Sequence, residues 1–166
     1  MKVRLVALGA IAVSLAAGTA MAQTISPADK DFAMKAAAGG MAEVEMGRLA
    51  TENGGSPQVR AFGQRMVTDH SEANKELEAI AHRQDLAIPS APDSQDRATA
   101  ERLQTMRGNA FDTAYMHDMV QDHQKDIADF RKEAADGKDP ALRTFAQKHL
   151  PVLEQHLQMA ENAAPK

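Results

Sequence analysis

The chain has 166 residues, and its composition narrows the classes of protein to which it can belong. Only 4% of the residues are aromatic and there is no tryptophan, whereas alanine and methionine are abundant, which favours helices over sheets. The formal net charge is −4 and the sequence has no basic run, which argues against nucleic acid and anionic membranes as partners. Because the chain has no cysteine, it can form no disulfide and carries no lipid anchor of the lipoprotein type.

Residues 1–22 have the pattern of a secretory signal peptide. Lys2 and Arg4 precede an apolar stretch, and the sequence at 20–22 (AMA) places small residues where signal peptidase requires them. We expect cleavage before Gln23, which leaves the mature chain with a net charge of −6 once the two cations are removed from −4. The apolar stretch is too short to span a bilayer as a helix, so we expect a periplasmic protein without a membrane span rather than an anchored one.

Residues 23–166 are predicted to form a single all-α domain, an antiparallel four-helix bundle. Long helical patterns alternate with turn signals, and no segment shows the alternation of a half-buried strand. The predicted helices are 28–53, 57–86, a shorter segment at 95–107, the stretch from 109 to 136, and 140–162. Gly54 and Gly137 are stop signals, whereas Pro57 and Pro140 suit the first positions of the helices that follow.

The connections between the predicted helices indicate how they pack. Short turns join the first two long helices and the last two, so each pair is expected to form an antiparallel hairpin. A longer connection, which contains the short helical segment, joins the two hairpins. We expect an up-down-up-down order in which both short turns lie at the same end of the bundle.

Each long helix carries a polar side chain on its apolar stripe, where residues recur at spacings of three and four. The histidines on these stripes are His70, His123 and, in the last helix, His149 or His156. The first helix offers Glu43, with Glu45 as an alternative that lies about 200° away around the helix, so only one of them can face the centre. A rise of about 1.5 Å per residue places Glu43 and His149 roughly 15 Å from the end with the turns, His70 and His123 roughly 20 Å, and His156 roughly 26 Å.

Three imidazoles and a carboxylate suit a divalent metal such as zinc, iron or copper, for which neutral imidazole is a common ligand. We therefore predict a metal site, whose candidate ligands are Glu43, Glu45, His70, His123 and His156. Asp69, Asp118 and Asp122 could orient the histidines from outside. The alternative is a metal-free polar cluster in a non-catalytic structural or interaction protein of the envelope or of a stress response, where the histidines satisfy one another.

The sequence argues against one well-defined metal chemistry and contains no sign of catalysis. Di-iron bundles place an acid three residues before a histidine on two helices. The residues at these positions here are Val67, Val120, Ala146 and Leu153. There is also no nucleophile arrangement and no phosphate-binding glycine loop, so we predict no catalytic residue and no organic cofactor.

Four short segments, spread in order over nearly the whole mature chain, carry a family resemblance. They are 42–50 (AEVEMGRLA), 66–70 (MVTDH), 111–115 (FDTAY) and 150–156 (LPVLEQH). Together they resemble the DUF4142 family of exported bacterial proteins, which implies a ferritin-like helical bundle, mostly periplasmic and sometimes described as an outer-membrane protein. The residues that match the family's pattern are Glu43, Glu45, His70, Phe111, Asp112, Tyr115, His123 and His156. His149 is not part of that pattern, so the resemblance favours His156 in the last helix.

Overall fold

The computed structural model of the protein describes residues 25–164, so the predicted signal peptide and its cleavage site lie outside the described residues. Its helices are α1 (Pro27–Asn53), α2 (Pro57–Arg83), α3 (Ser94–Gln104), α4 (Gly108–Asp136) and α5 (Pro140–Ala163). Residues 25–164 contain no β-strand, which confirms the predicted all-α class and the four long helices with a short extra one. No helix in this part of the chain combines the length and the apolar character that a membrane crossing requires.

The starts of three long helices follow one local rule, an oxygen-bearing cap followed by proline. Ser26, Ser56 and Asp139 each accept a backbone N–H from the first turn, and proline follows at the first helical position, where its missing N–H costs nothing. Two predicted ends were too late: α2 ends at Arg83 instead of 86, and α3 at Gln104 instead of 107. After α2 the backbone of Asp85 takes a positive φ of 51°, which stops the helix.

Two buried carboxylates show which ends of the helices lie together. Asp112, near the start of α4, accepts the N–H groups of Gly55 and Ser56 in the α1–α2 turn, each at 2.8 Å. Asp29, in the first turn of α1, accepts those of Lys138 and Asp139 in the α4–α5 turn, at 3.1 and 2.9 Å. The two short turns therefore lie at opposite ends of the bundle.

The expected up-down-up-down order is thus wrong, although the antiparallel hairpins are confirmed. The connection between α2 and α4 runs the length of the bundle, so these two helices point in the same direction. Helices α1 and α4 pack side by side and antiparallel, and so do α2 and α5. One long crossover of this kind is the connectivity of ferritin-like bundles. The sequence pattern predicted a long connection between the hairpins but not whether it returns to the same end of the bundle or crosses to the other. Turn residues are the same in both cases.

The interior is divided into two apolar clusters, one towards each end. The cluster near the α1–α2 turn contains Met46, Phe62, Met66, Phe111, Tyr115, Met116 and Met119. The cluster near the α4–α5 turn contains Phe32, Leu77, Ile80, Ile127, Phe130, Leu142 and Phe145. Met159, near the end of α5, is 37% exposed and belongs to neither cluster. The polar stripe residues lie between the two clusters.

The two hairpins repeat one another in sequence and in contacts. The same number of positions separates each residue of the first hairpin from its equivalent in the second, and Asp29 is equivalent to Asp112 in this way. The other equivalent pairs, in and after the turns, are Gly54 and Gly137, Pro57 and Pro140, Arg60 and Arg143, and Phe62 and Phe145. The two arginines make equivalent hydrogen bonds, since Arg60 donates to the carbonyl of Gly54 at 2.8 Å and Arg143 to that of Gly137 at 3.0 Å. Each hairpin therefore supplies one carboxylate that holds the turn of the other.

We expect Asp29→Ala to lower the free energy of unfolding by roughly 2 to 4 kcal/mol, because two backbone N–H groups of the α4–α5 turn lose a charged acceptor. Urea unfolding followed by circular dichroism measures this loss. Asp31→Ala is the matched control on the same helix, since the side chain of Asp31 is 64% exposed, and it should change stability by less than about 0.5 kcal/mol. Equal effects of the two substitutions would contradict the role of Asp29.

Candidate metal centre

One residue from each long helix meets in a buried layer between the two apolar clusters. These residues are Glu43 from α1, His70 from α2, His123 from α4 and His156 from α5, and none is more than 5% exposed. His70 Nδ1 lies 2.7 Å from Glu43 Oε2, and His123 Nε2 lies 3.4 Å from Glu43 Oε1. One ring nitrogen from each histidine can be chosen so that all three lie within 4.8 Å of one another. The structure thus brings together four of the five candidate ligands.

The remaining alternatives lie elsewhere. Glu45 is exposed on the outer face of α1, so Glu43 is the inward carboxylate. His149 is buried, but its Nε2 pairs with Glu76 Oε2 at 3.0 Å, outside the layer. His156 lies about 11 Å from the end of α5, close to the level of Glu43, because α5 ends beside the α1–α2 turn. The depths derived from the sequence counted His156 from the wrong end of the bundle.

Two of the imidazoles have their tautomers fixed by groups outside the layer. His123 Nδ1 lies 3.0 Å from the carbonyl oxygen of Met119, which can only accept, so this nitrogen carries the proton. His156 Nε2 donates in the same way to Asp69 Oδ2 at 2.8 Å. The unprotonated nitrogens, His123 Nε2 and His156 Nδ1, then face each other 3.3 Å apart. Two lone pairs therefore point at the same space.

Burial favours the uncharged forms of these side chains. It lowers the pKa of His70 and that of His156 to about 4, and that of His123 well below the usual value, where the neighbouring imidazoles add to the effect. Burial also raises the pKa of Glu43 well above the usual value, with a further contribution from Asp122. Glu43 Oε1 and His70 Nε2 have no hydrogen-bond partner within the described residues. Neutral imidazole is the form that binds metal.

The distances in the layer suit a small divalent ion. Ligands about 2.0 to 2.1 Å from a tetrahedral zinc ion are separated by roughly 3.3 to 3.4 Å. The separations of His123 Nε2 from His156 Nδ1 and from Glu43 Oε1 are 3.3 and 3.4 Å. The donor set of imidazoles and one carboxylate is also typical of zinc, iron and copper. The residues present therefore fit such an ion.

The residues of the layer could be predicted from the sequence, whereas the residues that contact the layer from outside were predicted less well. Of the three aspartates considered for orientation of the histidines, only Asp69 contacts one; Asp118 pairs with Arg102 at 2.5 Å. Asp126 was missed, although it lies one helical turn after His123 and lines the same cavity as Glu43. Its position one turn after His123 places both side chains on the same side of the helix, which could have indicated it as a neighbour of the layer.

The fold and the layer define a class, a four-helix bundle with one crossover and a buried histidine and carboxylate cluster. The family described as a domain of unknown function (DUF4142) matches residues 14–163, and the chain belongs to this family. The crystal structure of a DUF305 fragment from Deinococcus radiodurans is similar, with a TM-score of 0.73 and 15% identity, covering 84% of this chain and 97% of that chain. At this identity the likeness shows the fold alone. No curated protein matches the chain.

We expect His70 to lower the stability of the metal-free protein as the pH falls from about 6.5 to about 4. In that window the unfolded chain binds protons that buried His70 does not, which contributes at most about 1.4 kcal/mol per pH unit. His70→Gln should reduce this slope, measured by urea unfolding with a chelator present. His117→Gln, at a side chain 68% exposed, is the control and should leave it unchanged. An unaltered slope in His70→Gln would show that His70 is protonated in the folded protein.

Proposed function

We propose that this protein binds one divalent metal ion, zinc, iron or copper, through Glu43, His70, His123 and His156, and serves as an exported metal-binding or metal-buffering protein. One observation supports this most. His123 Nε2 and His156 Nδ1 lie 3.3 Å apart, and each directs its lone pair towards the other. A cation bound by both nitrogens makes that arrangement favourable.

A proton is a weaker occupant of this position than a metal ion. Sharing one would make an imidazolium in the interior, where burial of a charge is costly. Burial lowers the pKa of both His123 and His156, which opposes such protonation near neutral pH. A metal ion instead uses both lone pairs and recruits Glu43, whose ionised form balances part of its charge. The free atoms Glu43 Oε1 and His70 Nε2 would then gain a partner.

The surroundings of the histidines support a ligand role as well. Metal-binding histidines usually donate their second N–H to a carboxylate or a carbonyl, which fixes the ring and raises its basicity. Asp69 does this for His156 and the carbonyl of Met119 for His123. In the alternative, a metal-free cluster that only specifies packing, these contacts would orient two lone pairs against each other and leave two buried atoms unpaired, at a cost of about 1 to 3 kcal/mol for each atom.

We expect the untagged protein to bind one equivalent of Zn²⁺, Fe²⁺ or Cu²⁺, because the layer offers a single set of donors. His123→Ala should abolish this binding, whereas His149→Ala, at a buried histidine outside the layer, should retain it. Elemental analysis after dialysis and titration calorimetry measure the stoichiometry. Protein that stays metal-free with all three ions would overturn the proposal and favour the packing role.

A second pair of variants tests the orientation of His156. Asp69 and Asp118 are matched, since each pairs with an arginine and their side chains are 21% and 22% exposed. Asp69→Asn should weaken metal binding about 10-fold to 100-fold, as replacements of such outer partners do. Asp118→Asn should leave the affinity as it is, and a comparable loss in both variants would indicate a general effect of surface charge.

Export of the protein is proposed from the pattern at residues 1–22, and it predicts a mature form that begins at Gln23. Expression of the full chain in a Gram-negative host, followed by osmotic shock and intact mass spectrometry, measures the cleavage site and the compartment. Ala22→Arg should block cleavage, because signal peptidase needs a small residue there. Full-length protein that stays in the cytoplasm would contradict export.

A further inference from the structure

A small cavity adjoins the histidine layer on the side of the α4–α5 turn. Glu43, His70 and His156 form one part of its wall, and the side chains of Asp126 and Asn74 form another. Apolar residues complete the lining, among them Ala36 and Ala73. Because three of the four proposed ligands border this space, a metal held by them would lie next to it.

The size of the cavity limits what it can hold. Its volume is about 30 Å³, and a water molecule needs about 10 to 15 Å³ measured in the same way. The space therefore takes about two waters, or one ligand of two or three atoms. A cavity of this size with polar groups in its wall can hold water or a small ligand. Small side chains at Ala36 and Ala73 keep the space open.

The repeat of the hairpins places a carboxyl group from each half of the molecule on this cavity. The offset that pairs Asp29 with Asp112 also pairs Glu43 with Asp126, and both line the cavity. Glu43 approaches His70 and His123, while Asp126 has no ion pair within residues 25–164. Asp126 and Asn74 can therefore form hydrogen bonds to a molecule in the cavity without giving up a partner among the proposed ligands.

We infer that this cavity is the position of one exogenous ligand of the metal, a small anion or diatomic molecule that binds the metal at one end and accepts a hydrogen bond from the Asn74 amide at the other. The inference rests on the proposed metal site. Four protein donors fill a tetrahedral site, but such sites can expand to five ligands, and the cavity is where a fifth would fit. A site of this kind would be open to exchangeable small ligands rather than closed and purely structural.

The test uses the mature protein loaded with Co²⁺, whose visible spectrum reports the ligands around the ion, with azide as the probe. Azide should produce a saturable change in the spectrum, and imidazole, which is too large for the cavity, should produce none. Ala73→Leu and Ala36→Leu, on two different helices, fill the space and should weaken azide binding at least about tenfold. Both variants should still bind one equivalent of Co²⁺.

Ala114→Leu is the matched control, because Ala114 is also half-buried but packs against the cluster near the α1–α2 turn. It should bind Co²⁺ and azide like the unaltered protein. Loaded protein that shows no response to azide, or one that responds equally to imidazole, overturns the exogenous-ligand position alone. Equal azide affinities in the Ala73 and Ala114 variants do the same. Protein that binds no Co²⁺ overturns this inference together with the metal site.

Discussion

The arrangement of this bundle depends on two buried carboxylates that hold the turns of opposite hairpins. Asp29 and Asp112 each accept two backbone N–H groups from the turn of the other hairpin. These contacts fix both the direction and the register of one hairpin against the other. The register matters because side chains from four helices must reach one layer, and a slip of a single turn would move a histidine by about 5.4 Å.

The polar layer is tolerated because its members meet one another between two apolar clusters. An isolated imidazole or carboxyl group at such depth would lack partners and destabilise the fold. Here Glu43 lies against His70, and the outer nitrogens of His123 and His156 are bonded to groups beyond the layer. The same contacts that make burial acceptable also orient the inner nitrogens. Stability and the proposed metal binding therefore depend on the same contacts in this molecule.

The helices and the inward residues could be predicted from local patterns, whereas the path of the chain could not. The caps Ser56 and Asp139 with their prolines, and the apolar stripes, depend only on neighbours along the helix. The direction of the crossover depends on contacts such as that of Asp112 with the α1–α2 turn, which a single sequence does not reveal. The same limit explains why His149 and His156 were both possible, and why Asp126 was not recognised: its partners lie on other helices.

The crossover also determines how the interior can be reached. Helix α3 packs against α1 and α4 beside Met46 and Met119, yet only Ala100 and Leu103 of its own residues are buried. Segments with so few buried side chains are the first to detach in partial unfolding, while the four long helices stay assembled. Transient release of α3 would uncover the surface of α1 and α4 around Met46 and Met119. The segment that connects the hairpins can thus separate from the apolar cluster near the α1–α2 turn while the four long helices keep their arrangement.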